Sequence, residues 1–175
     1  SISHGQMWAI LPQTWLGNLV GSVFVALLYS WGGGSLLPVD TSIVHSVALA
    51  KTTAPATVLF FKGALCNWLV CLAIWMAIRT EGAAKFLAIW WCLLAFIASG
   101  YEHSVANMTL FALSWFGHHS EAYTLSGIGH NLLWVTLGNT LSGVVFMGLG
   151  YWYATPKSER PAPAKINQPE AAANN

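Results

Sequence analysis

The sequence predicts an all-α membrane protein with four membrane segments, one of them broken at its centre. Three observations carry that expectation. The 175-residue chain is 55% hydrophobic and only 7% charged, with a mean hydropathy of +0.56, whereas soluble domains carry about 25% charged residues. Its apolar runs are long enough to cross a bilayer. Among ten tryptophans, Trp8, Trp15, Trp31, Trp75, Trp115 and Trp152 fall near the ends of those runs, where aromatic belts form.

Taken in order, the first segment covers residues 11–31 and ends at the glycine triplet 32–34, a strong breaker. A loop with Pro38 and Asp40 follows, then a short helix over 41–54. Pro55 suits the start of the second segment, 56–78. A tight loop with Arg79, Glu81 and Lys85 leads into the third, 86–115. The polar stretch 116–126 leads into the fourth, 127–153. These elements make one transmembrane domain, residues 1–155. The tail 156–175, rich in Pro, Ala and charge, is expected to be disordered. Arg79 and Lys85 share a side with Lys157, Arg160 and Lys165 by parity, so the positive-inside rule makes that side and the C-terminus cytoplasmic. Lys51 is the basic residue left on the outer side.

The net charge of +1 says nothing about nucleic acid, but there is no basic stripe of the kind nucleic-acid binders show, so no nucleic-acid partner is expected. Cys66, Cys71 and Cys92 lie in apolar runs, are odd in number and form no CxxC, so neither a disulfide framework nor a zinc site is expected. His118, His119, Glu121 and His130 resemble a metal cluster only superficially, because His118 and His119 are adjacent rather than a helical turn apart. No secretory signal pattern opens the sequence.

The chemistry concentrates in the third segment. As one helix it would be about 45 Å long at about 1.5 Å per residue, against a hydrocarbon core of about 30 Å. At its centre stands SGYEHSVANM, residues 99–108. Ionisable groups persist in hydrocarbon mostly where they line a cavity or a path. Gly100 and its polar neighbours therefore read as a break between two half-helices, whose ends are aimed at a substrate. His103 can donate a hydrogen bond or pass a proton there. Glu102 would meet exposed N–H groups in the first turn of the second half-helix. Asn107, four residues after His103, shares its face if helical. Lys51 could concentrate anions at an outer mouth, while Lys62 can snorkel to an interface. Asn18, Asn67 and Asn139 interrupt apolar runs and are expected to make interhelical hydrogen bonds. Gly17 and Gly21, and Gly138, Ser142, Gly143, Gly148 and Gly150, are small residues suited to close helix packing.

Residues 16–31 align without gaps to residues 137–152, sharing Leu-Gly-Asn, Val, Leu and Trp. That pattern fits an internal repeat of the transporter type. His103 lies 36 residues ahead of Asn139 (139 − 103), so the matching break would fall 18 residues before Ser1 (18 − 36). Two further spans are thus expected upstream, and the chain reads as a C-terminal piece.

Two stretches are more specific: KGALCNWLVCLAIW at 62–75 and ASGYEHSVANM at 98–108. With Leu-Gly-Asn at 137–139 they resemble the formate/nitrite transporter family over nearly the whole chain to Tyr153. The resemblance implies an aquaporin-like inverted-repeat bundle, four of whose six segments are present here. It further implies a homopentamer in the bacterial inner membrane, with one pore per protomer and no cofactor or enzymatic activity. The transported species would be nitrite, passing as the anion or as nitrous acid, with formate the alternative. His103 matches the central pore histidine, Lys51 an outer-vestibule lysine and Phe96 a hydrophobic constriction. Asn67 and Asn139 match residues that steady the loops and the histidine. Glu102 and Asn107 complete the candidate pathway. The rival class is a membrane electron carrier with His103 and His130 as axial ligands to haem b.

Overall fold

A computed structural model describes residues 4–34 and 42–156, with side chains from Trp8 onward. All regular structure among the described residues is helical. Helix α1 spans His4–Trp31, α2 Ile43–Thr53, α3 Ala56–Arg79, α4 Gly82–Ala98, α5 Ser104–Phe116 and α6 Leu125–Leu141. The last continues through a π-helical run, Ser142–Leu149, into α7, Gly150–Ala154. Three stretches are long and apolar enough to cross a membrane: Trp8–Trp31, Ala56–Arg79 and Leu125–Ala154. The third sequence segment is the broken pair α4 and α5. The loop around Pro38 and Asp40 lies outside the described residues, as do Lys157, Arg160, Lys165 and the tail beyond Pro156.

Local chemistry explains the boundaries. Ser42 Oγ accepts the Val44 N–H at 3.2 Å and starts α2. Pro55 is the extended residue ahead of α3, where its missing N–H costs nothing. Thr124 caps α6 by accepting the Gly127 N–H at 3.2 Å. Because α1 begins at His4, Trp15 is an interior residue rather than a belt residue. Its indole N–H reaches Thr136 Oγ1 on α6 at 3.2 Å.

The bundle is centred on the crossing of α3 and α6. There the helices approach so closely that a Cβ on Gly63 would lie 2.8 Å from the Val135 carbonyl oxygen. A Cβ on Gly138 would collide with the Phe60 carbonyl. Gly17 and Gly21 behave differently from their sequence reading, since among the described residues nothing beyond the local helix backbone lies within 4 Å of a Cβ at either. Of the two helices that the sequence aligns, only the second uses its glycines for a crossing among the described residues. Asn18 also departs from expectation: its amide bonds its own helix at Thr14 O, 2.9 Å, and among the described residues it crosses to no neighbour.

Around the crossing, Thr109 Oγ1 donates to Ser22 Oγ at 3.0 Å and joins α5 to α1. His45 Nδ1 lies 3.0 Å from Ser114 Oγ and joins α2 to α5. Met108, Phe111, Tyr123, Leu132 and Ala48 form a buried cluster between α2, α5 and α6. Tyr123 closes the loop after α5 by donating to the Phe111 carbonyl at 2.9 Å. Burial pushes its phenol well above the ordinary range, so the donor stays protonated, although Ser114 acts in the opposite direction.

Gly138→Ala is expected to destabilise the protein by about 1–3 kcal/mol, the usual range for overpacking, because backbone rather than a flexible side chain stands in the way. Gly129→Ala, where the space is open, should leave the thermal unfolding midpoint of the purified protein near that of the parent. Comparison of the two midpoints checks this.

Candidate substrate pathway at the helix break

The break is built from two complementary helix ends. Gly100, at φ +63°, follows α4 in the left-handed region that favours glycine. Its N–H returns to Ile97 O at 3.1 Å, and the Tyr101 N–H returns to Phe96 O at 3.1 Å. This is a Schellman closure, which satisfies carbonyls that hydrocarbon would leave bare. Helix α5 then starts at His103, which is its N-cap: the Ala106 N–H donates to His103 Nδ1 at 3.3 Å. The histidine, not Glu102, therefore serves the first turn of the second half-helix.

That cap assigns the tautomer. Nδ1 accepts, so the proton of the neutral ring sits on Nε2. A ring protonated on both nitrogens would turn Nδ1 from acceptor to donor against the Ala106 N–H. Phe96, on the last turn of α4, stands beside the half-buried imidazole with ring centroids 6.1 Å apart.

Asn139 holds the break against the bundle. Its Nδ2 donates to Gly63 O at 2.8 Å and to Glu102 O at 3.1 Å. Its Oδ1 accepts the Ser104 N–H at 3.1 Å. Its own carbonyl accepts from Asn67 Nδ2 at 2.6 Å. Asn67 thus reaches His103 only through Asn139.

Lys51, Glu102 and Asn107 sit otherwise than the sequence suggests. Lys51 Nζ lies 2.8 Å from Glu102 Oε1, with the two side chains only 18% and 5% exposed. The lysine is a neutralised partner and not a free charge at a mouth. Glu102 Oε2 accepts from Asn107 Nδ2 at 2.6 Å, and the same amide reaches Asn131 Oδ1 at 2.9 Å. Asn131 Nδ2 closes the circuit on Lys51 O at 2.9 Å. Asn107, buried in this circuit, is committed to Glu102 rather than to the face of His103. The Glu102 N–H reaches Lys62 O at 3.4 Å.

Asn131 is the member that sequence reasoning missed, although a carboxamide in an apolar run was the signal used for Asn67 and Asn139. His130 Nε2 lies 3.1 Å from Ala54 O, beyond the end of α2. His119 stacks on Trp115 at 5.1 Å, outside the break. Among the described residues no three His, Cys, Asp or Glu side chains group so as to hold a metal ion. Beside the break, a mostly apolar cavity of about 920 Å³ opens between α1 and α6, with Trp15, Asn18, Asn67, Ser104, Thr136 and Asn139 in its wall.

A capped break inside an apolar bundle, with a histidine between two half-helices, is transporter architecture. The formate/nitrite transporter family model matches residues 1–153, and the chain belongs to that family of membrane transporters and channels. It is 98% identical over its whole length to the nitrite transporter NirC of Salmonella typhimurium. It is 91% identical over 173 residues to NirC of Escherichia coli. It spans 65% of the length of each of these relatives. A solved FNT family ion channel superposes with a TM-score of 0.87 at 98% identity, over 89% of this chain and 62% of that one. A pentameric formate channel with formate bound superposes at 0.63 and 29% identity, over 79% of this chain and 62% of that one. The family sets aside the electron-carrier class.

Glu102→Gln leaves the Lys51 ammonium without its counter-charge, a change that costs about 3–5 kcal/mol in buried pairs. A marked fall in the thermal unfolding midpoint is expected. The double variant Lys51→Met with Glu102→Gln should recover much of it. A double variant no better than the single would mean that the pair's charges do not interact.

Proposed function

We propose that the protein forms a channel for nitrite in the bacterial inner membrane, as a homopentamer with the Arg79–Lys85 loop facing the cytoplasm. The observation that carries this reading is the hydrogen bond from the Ala106 N–H to His103 Nδ1. It fixes the imidazole at the positive end of α5 and reserves the Nε2–H for a ligand. A helix N-terminus favours negative charge, and half-helix N-termini serve anionic groups in transporters. The two relatives named as nitrite transporters supply the choice of anion.

In this reading the anion sheds water at Phe96, then accepts from His103 Nε2 while the α5 dipole offsets its charge. His103 acts as a hydrogen-bond donor to the anion rather than as its proton donor, because full protonation would forfeit the cap. Lys51 and Glu102 are neutral as a pair. They hold the break in shape and contribute little to long-range attraction. Asn139 keeps the histidine's backbone in place, with Asn67 behind it.

The test is nitrite and formate flux in proteoliposomes, singly and in competition. His103→Asn is the informative variant, because asparagine is a strong N-cap and preserves the start of α5 while deleting Nε2–H. Loss of a hydrogen bond to a charged group, worth about 1.5–3 kcal/mol, predicts a flux about 10–100-fold lower in a protein that still folds. Unchanged flux would remove His103 from the pathway. Formate flux exceeding nitrite flux would reassign the substrate.

A further inference from the structure

The last span leaves α-helical geometry in one place, beside a side chain from α3. Over Ser142–Leu149 it is a π-helix, whose hydrogen bonds reach five residues instead of four. Just before that run the Asn139 carbonyl is occupied by Asn67 Nδ2 at 2.6 Å. The Ser142 N–H closes back onto Asn139 O and Gly138 O. In an α-helix the Asn139 carbonyl would accept from the N–H of residue 143. The space beside that residue is taken: a Cβ on Gly143 would lie 2.7 Å from Asn67 Nδ2. A side chain inserted into the hydrogen-bond ladder is one of the few causes of helix distortion. In the same turn Ser142 Oγ lies buried without a hydrogen-bond partner, the kind of loose end that a register imposed from outside leaves behind.

We propose that Asn67 is a positioning residue whose amide, wedged against Gly143, holds the last span in π register. Contacts beyond the wedge depend on that register. Phe146 stacks on Trp68 with centroids 5.4 Å apart, and Tyr151 lies on Trp75 at 4.4 Å. Trp75 in turn carries the Arg79 guanidinium 4.4 Å from its ring centre. If the wedge is removed, the run returns to α-helix and everything after it rotates by about 100°, the angle one residue subtends. Position 150 then stands where 151 stood. Asn139 belongs to both systems, since its side chain fastens the His103 break and its carbonyl receives the wedge. The break and the far end of the last span are therefore joined through one residue. This inference rests on helix geometry and is independent of which anion passes.

The test uses the purified protein in lipid nanodiscs, with its three cysteines replaced by alanine. A cysteine at 75 is paired in turn with one at 150, 151 or 152 and joined with a short bifunctional thiol reagent. With Asn67 and Gly143 in place, the yield should peak at 151. In Asn67→Leu, and separately in Gly143→Ala, the peak should move to 150. Deleting Gly148 in the Asn67→Leu background should return the peak to the residue numbered 151, and nitrite flux should fall and recover in parallel. A simple packing role for Asn67 would not be rescued by a one-residue deletion. A peak that stays at 151 in both single variants overturns the proposal. So does a folding defect in Asn67→Leu that the deletion leaves unrepaired.

Discussion

A helix that stops inside a membrane must find partners for its bare backbone groups within the protein, since hydrocarbon offers none. Most of this structure answers that constraint. Gly100 turns the end of α4 back on itself, His103 caps α5, and one carboxamide, Asn139, binds the backbone on both sides of the histidine while anchoring to α3 at Gly63. Asn139 reaches these groups only because Gly63 and Gly138 let α3 and α6 nearly touch. The site thus depends on two residues that have no side chain at all.

Charge at the break is treated in the same way. A lone carboxylate or ammonium in this setting would be costly, and Glu102 and Lys51 offset one another across 2.8 Å. Asn107 and Asn131 supply the remaining hydrogen bonds and return the circuit to the backbone of Lys51. Three helices and the break are tied together by groups that carry no net charge. In the proposed channel, a neutral donor at the α5 terminus suits a permeating ion, because a fixed full charge nearby would bind it tightly and slow its release.

The two half-helices also differ in what they contribute. Helix α4 is largely exposed along its length, with Phe86, Leu87, Trp90, Trp91 and Ile97 facing outward. Helix α5 buries Asn107, Met108, Phe111 and Ser114 within the bundle. Phe96 belongs to the outward-facing half and His103 to the buried one, so the proposed constriction and the proposed donor stand on separately held elements. Their relative position is set at Gly100.

The start of the first segment was not legible, since α1 begins at His4 rather than at residue 11, but the number and order of the segments and most of their ends were legible in the sequence. So was the break, because length against bilayer thickness and a polar cluster in an apolar run are one-dimensional signals. His103, Asn67 and Asn139 were legible for the same reason: polar groups are rare in such runs and must be used. The partners were not legible. Lys51 and Glu102 lie 51 positions apart (102 − 51), and only the fold brings them into contact and turns an apparent surface charge into a buried counter-ion. Gly17 and Gly21 resembled Gly138 and Gly143 in being small residues of aligned apolar helices, yet only the latter pair lies against α3. The π-helical run has no signature of its own, since the side chain set beside it, Asn67, comes from another helix. Pattern along the chain determined which residues hydrocarbon would force into partnership, and tertiary structure alone decided with whom, because a hydrogen bond or ion pair is satisfied by distance in space and not by separation in sequence.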